Sequence, residues 1–139
     1  MIPRLLVGLC LLTLVASCSQ APEALPADVN VILEFKEYTV TLNTPTVKAG
    51  IVKFGIRNLG TMVHDFDLIK TDLAPDKLEI DGASAKAKTD GLVKQMINIA
   101  QGRVTTLSAD LAAGHYVIIC NVAGHYQLGM RAELTVQPN

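Results

Sequence analysis

The sequence predicts an all-β protein, a two-sheet β-sandwich with Greek-key connections, and three observations lead to this. From residue 29 onward the chain consists of short runs rich in β-branched and aromatic side chains, separated by Gly, Pro, Asn and Asp. It shows no sustained helical period and no internal repeat. About eight such runs are typical of one sandwich domain, and the length of residues 29–139 suits one compact domain and not two.

Before this domain comes a segment that reads as an export signal, residues 1–17. Arg4 is followed by the apolar run Leu5 to Ala16, which is much shorter than the roughly 20 residues that a membrane-spanning helix needs. We therefore expect residues 1–17 to be removed and the protein to be exported.

The ending Ala16-Ser17-Cys18 resembles the bacterial lipoprotein cleavage signal, which implies that Cys18 becomes the lipidated first residue. Ordinary secretion, with Cys18 incidental, is the alternative. Residues 18–28 would then be a tether after the lipid anchor. We expect a membrane-anchored lipoprotein on the periplasmic or cell-surface side.

Within the domain, eight runs have the alternating or continuously apolar pattern of half-buried and buried strands. In chain order they are Val31 to Phe35, Tyr38 to Leu42, Ile51 to Asn58, Val63 to Ile69, Leu92 to Ile99, Val104 to Ser108, His115 to Cys120 and Arg131 to Val136. Residues 70–91 interrupt the pattern with Ala74-Pro75-Asp76 and Asp81-Gly82, and we predict a surface insertion there. A solvated excursion, with room for a short helical turn, is the simplest interpretation of it.

The number of cysteines in the domain limits the roles that a cysteine can have there. Of the three in the chain, Cys10 would leave with the leader and Cys18 would carry lipid, so only Cys120 remains in the domain. A lone thiol in an oxidising compartment calls for a role such as metal ligation or intermolecular pairing. Coordination of a metal explains it.

A copper site is indicated by Cys120, His125 and Met130, which lie in one loop between two predicted strands. Two imidazoles and a thiolate with a weak axial thioether are the ligands of blue-copper centres, so a second histidine is required. His64 is the best candidate, because strand alternation places it on the apolar face together with Phe66. Each donor alone would pass for an ordinary core or surface residue, and their combination favours one copper ion.

At this point the chain resembles the cupredoxins, the plastocyanin- and azurin-like type 1 blue copper proteins, across nearly all of residues 29–139. The resemblance rests on Ala49-Gly50, on Asn58-Leu59-Gly60 leading to His64-Asp65-Phe66, on Ala113-Gly114-His115-Tyr116, and on the loop from Cys120 to Met130. It implies that His64, Cys120 and His125 are equatorial copper ligands and that Met130 is axial. The chain departs from many relatives at Ala123, where they carry Pro, and at Asp65, where plastocyanin-like members commonly carry Asn.

The resemblance implies a mononuclear carrier of single electrons between protein redox partners, with His125 as the exposed edge through which electrons pass. Multicopper enzymes place a His beside the Cys, whereas Ile119 and Asn121 flank Cys120, and a binuclear site would need a second Cys where Gly124 stands. We therefore predict no catalysis on a bound substrate.

Two other functions stay open from the residues alone. A copper-delivery protein, with the sulfur of Met62 near His64, is the stronger alternative, and an adhesion-like sandwich is the weaker because it leaves the thiol unexplained. The net charge of −1 comes without a basic cluster, so nucleic acid is not an expected partner. We expect a monomer.

Overall fold

The computed structural model describes residues 24–139, so the predicted leader (1–17) and Cys18 lie outside the described residues. Regular secondary structure within 24–139 is entirely β. The strands are β1 (Val31–Lys36), β2 (Thr39–Leu42), β3 (Thr46–Lys48), β4 (Gly50–Asn58), β5 (His64–Lys70), β6 (Ile80–Asp81), β7 (Lys86–Ala87), β8 (Leu92–Ile99), β9 (Val104–Leu111), β10 (Gly114–Ile119) and β11 (Arg131–Gln137). This part of the chain contains no helix with the length and apolar character that a membrane crossing requires.

Two sheets form the sandwich. One has four strands in the order β2-β1-β4-β9, the other has five in the order β3-β11-β10-β5-β8, and β6 and β7 form a separate pair. The β1–β4 and β3–β11 pairs are parallel, and the other pairs are antiparallel. Sheet neighbours that are distant in sequence are what Greek-key connections produce, and the predicted fold class is confirmed.

The core lies between the two sheets, because alternate side chains of each strand point inward. In β1 the buried residues are Val31, Leu33 and Phe35, at alternate positions. The rings of Phe54 and Phe66 meet across the core, with 5.4 Å between their centroids. Each large apolar side chain buried in this way contributes about 1.5–3 kcal/mol to the free energy of unfolding.

The eight predicted strands are all present, with ends shifted by a few residues at most. The sequence reasoning missed β3, a short edge strand that pairs in parallel with β11. The insertion holds the β6–β7 hairpin, and the short helical turn for which it had room is not present in it.

The insertion also packs against the protein. Leu78 and Ala87 are buried with Ile69, Val117 and Ile119 on the outer face of the five-stranded sheet, and Tyr126 joins the same cluster. The prediction of a solvated excursion is therefore wrong for this part of it. The insertion makes a second small core, which explains why β5 is buried on both of its faces.

Candidate metal centre

Three of the predicted ligands converge at one end of the sandwich. Cys120 directly follows β10, His64 begins the neighbouring β5, and His125 lies in the loop between β10 and β11. Sγ of Cys120 is 3.6 Å from Nδ1 of His64 and 3.4 Å from Nδ1 of His125. The ligand atoms of the three residues all lie within 4.8 Å of one another. Strand register therefore brings together donors that are far apart in sequence.

Met130 is carried to the same end by the backbone. Its N–H donates to the carbonyl of His125 over 3.1 Å, and its own carbonyl accepts from the N–H of Cys120 over 3.0 Å. The Met130 side chain is fully buried in the core cluster that includes Cys120. Residues 120–130, which we call the ligand loop, thus close on themselves and turn three donor side chains inward.

The turns of the ligand loop depend on two glycines. Gly124 and Gly129 have φ angles of 82° and 119°, which residues with a Cβ rarely adopt. At Gly129 a Cβ would also lie 3.2 Å from the backbone oxygen of Tyr38, tighter than an ordinary contact. The loop can therefore pack against the turn between β1 and β2.

The donor set fits a copper ion. Burial raises the pKa of the Cys120 thiol to about 11, so a nearby cation is needed to ionise it at neutral pH. Burial likewise lowers the pKa of His64, which keeps that imidazole neutral and able to ligate. The backbone N–H of Asp65 donates to Sγ of Cys120 over 3.2 Å, an outer hydrogen bond of the kind that tunes a metal-bound sulfur.

Asp65, one of the departures from the family pattern, does not use its carboxylate on the cysteine strand. Oδ1 of Asp65 instead accepts the backbone N–H of Asn98 in β8 over 2.9 Å. Asn98 has a φ of 59°, so this contact supports an unusual backbone conformation at the edge strand.

The turn between β1 and β2 contacts both histidines, and the sequence reasoning did not find it. Oε1 of Glu37 lies 3.3 Å from Nε2 of His64, and the ring of Tyr38 meets the ring of His125 edge-on at 5.3 Å between centroids. The backbone N–H of Met62 donates to the Glu37 carboxylate and is the main cause that lowers its pKa. A Glu-Tyr pair in a turn carries no periodic or metal-binding signal in sequence.

The exposed edge expected at His125 is not present. The residue is only 3 % exposed, whereas Tyr38 beside it is 38 % exposed. The ring of Tyr38, which meets His125 edge-on, is among the groups that bury it. His115, the remaining histidine, lies away from the site and contacts Thr71 and Glu133.

The insertion holds the ligand loop from the other side. The hydroxyl of Tyr126 accepts the N–H of Leu78 and donates to the carbonyl of Pro75, both over 2.9 Å. The amide of Asn121 pairs with both backbone groups of Ala87, over 2.8 Å and 3.0 Å. These polar contacts are buried or half-buried, so they fix the loop next to its cysteine and histidine.

The family is decided by the match of the chain to the model of the sulfocyanin (SoxE) domain, which covers residues 24–139. The chain belongs to the sulfocyanin family. None of the curated protein sequences matches this sulfocyanin domain significantly.

Solved structures similar to this chain include an auracyanin, a rusticyanin and an azurin. Reduced auracyanin from Roseiflexus castenholzii is 20% identical with a TM-score of 0.58, covering 77% of this chain and 95% of its own. Rusticyanin from Thiobacillus ferrooxidans is 19% identical with a TM-score of 0.53, covering 77% and 75%. Azurin from Methylomonas sp. strain J is 14% identical with a TM-score of 0.53, covering 80% and 99%. At these identities the likeness establishes the cupredoxin fold.

Family, fold and donor set together make this sulfocyanin a type 1 blue copper protein with one copper ion. His64, Cys120, His125 and Met130 are arranged to hold it. Of these the loop from Cys120 to Met130 supplies three, as the sequence predicted, and β5 supplies the fourth.

Proposed function

We propose that this protein carries single electrons between protein redox partners outside the cytoplasm. The observation that carries the proposal is a donor set of two imidazoles, a thiol and a thioether that is almost completely buried and packed from two sides. Soft sulfur ligands suit Cu(I) and tetragonal nitrogen and oxygen donors suit Cu(II), so a mixed set of two sulfurs and two imidazoles is a compromise between the two states. Little then needs to move when the oxidation state changes.

The bound copper supplies one-electron chemistry by changing between Cu(I) and Cu(II). The protein residues exclude water from it, since His64, Cys120 and Met130 have no exposed surface. The surface cavities between residues 24 and 139 include one beside Leu25 and Arg103, one beside Asn43 and Arg57, and one beside Val47. No copper ligand lines any of these three.

A docking surface for redox partners is supported by the apolar residues around the ligands. Tyr38, Met62, Val63 and Leu128 are each more than one-third exposed. Val63 precedes His64, Leu128 lies in the ligand loop, and Tyr38 contacts His125. Isolated exposed apolar side chains are ordinary, but a group at one end of a sandwich favours association with another protein. Tyr38 and His125 give a short path from this surface to Cys120.

The location is part of the proposal and is supported by the sequence. A lipid on Cys18 and a tether over residues 18–28 would hold the domain at the outer side of a membrane. Incorporation of labelled palmitate into the full chain, and its loss in Cys18→Ser, tests this part. A soluble, unlabelled product would contradict it.

Copper delivery is the competing function, and the burial of all four ligands argues against it. A delivery protein must release Cu(I) readily to an acceptor, whereas here departure of the ion requires opening of the ligand loop. Visible spectroscopy and electrochemistry of the copper-loaded protein test the carrier. We expect a strong thiolate-to-Cu(II) absorption and reversible one-electron cycling. A colourless protein that passes Cu(I) rapidly to a chelator would contradict the proposal.

A further inference from the structure

Glu37 is the acidic residue in contact with the predicted ligand His64, and its carboxylate is held firmly. Oε1 accepts the backbone N–H groups of Thr61 and Met62, both over 2.8 Å. Only 23% of the side chain is exposed. At Gly60 an added Cβ would collide with this carboxylate, so the glycine leaves room for it. The negative charge is therefore fixed at one place beside the metal centre.

The orientation of the His64 ring determines which of its two nitrogens faces the Glu37 carboxylate. Nδ1 faces Sγ of Cys120, so when Nδ1 ligates copper the ring proton must be on Nε2. Nε2 is buried and makes no hydrogen bond of good geometry with any described residue. Oε1 of Glu37, at 3.3 Å, is within ion-pair distance of it. The contact is thus chiefly electrostatic, between a carboxylate and the outer edge of a ligand.

We propose that Glu37 is a positioning residue of the copper centre, which keeps the proton of His64 on Nε2 and favours Cu(II) over Cu(I). This role of Glu37 rests on the proposed function, because an electron carrier alternates between Cu(I) and Cu(II). Histidine ligands commonly place their second nitrogen against a carboxylate, which orients the ring and makes it a stronger donor. Cu(II) carries one more positive charge than Cu(I), so a fixed negative charge stabilises it more.

The alternative is that Glu37 only supports the turn at Thr61 and Met62. Glu37→Gln separates the two roles, because the amide oxygen can still accept both backbone N–H groups while the charge is lost. Glu34→Gln is the matched control, since it removes the same charge three residues away, in β1, where Glu34 pairs with Arg57 at 3.2 Å and not with a ligand.

The first measurement is the reduction potential of each copper-loaded variant. Replacing outer partners of metal ligands typically changes metal affinity about 10–100-fold. We expect Glu37→Gln to lower the preference for Cu(II) over Cu(I) about tenfold, which for one electron is a rise of about 59 mV. Glu34→Gln should leave the potential near that of the wild type. Equal shifts in the two variants, or a fall in Glu37→Gln, would overturn the proposal.

The second measurement does not need copper and therefore separates this inference from the proposed function. Nitrogen-15 NMR of the copper-free wild type should show the proton of His64 on Nε2. A proton on Nδ1 would overturn the role of Glu37 even if Glu37→Gln failed to fold. A wild type that never turns blue would refute the electron carrier, while the NMR result would still decide the tautomer.

Discussion

The phenolic oxygen of Tyr126 joins the ligand loop to the insertion, and Tyr126→Phe removes that oxygen alone. The ring is 2 % exposed, and its packing with Ile69 and Leu78 is retained in the variant. Two hydrogen bonds are lost, to Leu78 and to Pro75. At about 1 kcal/mol net for each, the free energy of unfolding should fall by about 2 kcal/mol, and by more where a buried partner stays unsatisfied.

Urea denaturation of the copper-free protein measures this loss, and Tyr116→Phe is its control. Tyr116 is equally buried, but its hydroxyl makes one bond, to the carbonyl of Ala112 over 2.8 Å, outside the ligand loop. We expect a loss of about 1 kcal/mol there. Amide exchange should also distinguish the variants, since 2 kcal/mol corresponds to roughly 30-fold more frequent opening at Ala87, whose N–H keeps its bond to Asn121 in Tyr126→Phe. If Tyr126→Phe lost no more than Tyr116→Phe, the hydroxyl would not be what holds the insertion.

Three further predictions concern the ligands and a buried carboxyl. Cys120→Ser should abolish the thiolate-to-copper absorption in the visible spectrum, and an unchanged spectrum would refute the assignment of the sulfur. Met130→Leu should keep the colour and raise the reduction potential, because one donor fewer and a more apolar surrounding disfavour Cu(II), the more highly charged state; a lowered potential in voltammetry would contradict this. Burial raises the pKa of the Asp67 carboxyl above its ordinary value of 3.8. Because the folded protein then holds this proton more tightly than the unfolded chain does, the stabilisation from the protonated carboxyl is complete below pH 3.8. It is lost as the pH rises through the folded-state pKa. The free energy of unfolding of the wild type relative to Asp67→Asn should therefore fall over that window in urea titrations, and a constant difference would contradict it.

Much of the sandwich was predictable because alternation is a local signal. The inward positions of β1 appear in sequence as apolar residues at every second place, and strand phase alone placed His64 on the same face of β5 as Phe66, which lies in the core between the sheets. β3 gave no such signal, since three residues provide barely one period and its pairing with β11 is set by residues about 90 positions away. Its existence depends on tertiary structure and not on its own composition.

Some residues of the metal centre could likewise be predicted from the sequence, and others could not. Cys120, His125 and Met130 share one loop, so their chemistry is visible together in sequence. Glu37 and its backbone partner Thr61 are 24 positions apart, and nothing local marks either as part of the site. The exposure of His125 was predicted wrongly because the residue packs against a part of the chain distant in sequence, the turn that holds Tyr38.

The outer contacts explain how one site can serve two oxidation states. Asn121 and Tyr126 bind the insertion through Ala87, Leu78 and Pro75, with hydrogen bonds that use no ligand atom. In the β1–β2 turn, Glu37 contacts Nε2 of His64, whereas Sγ of Cys120 faces Nδ1 of that ring. Neither set of contacts therefore has to break when the charge of the ion changes. Because the groups are already ordered by these contacts, holding the ligands in place costs little additional conformational entropy in either state.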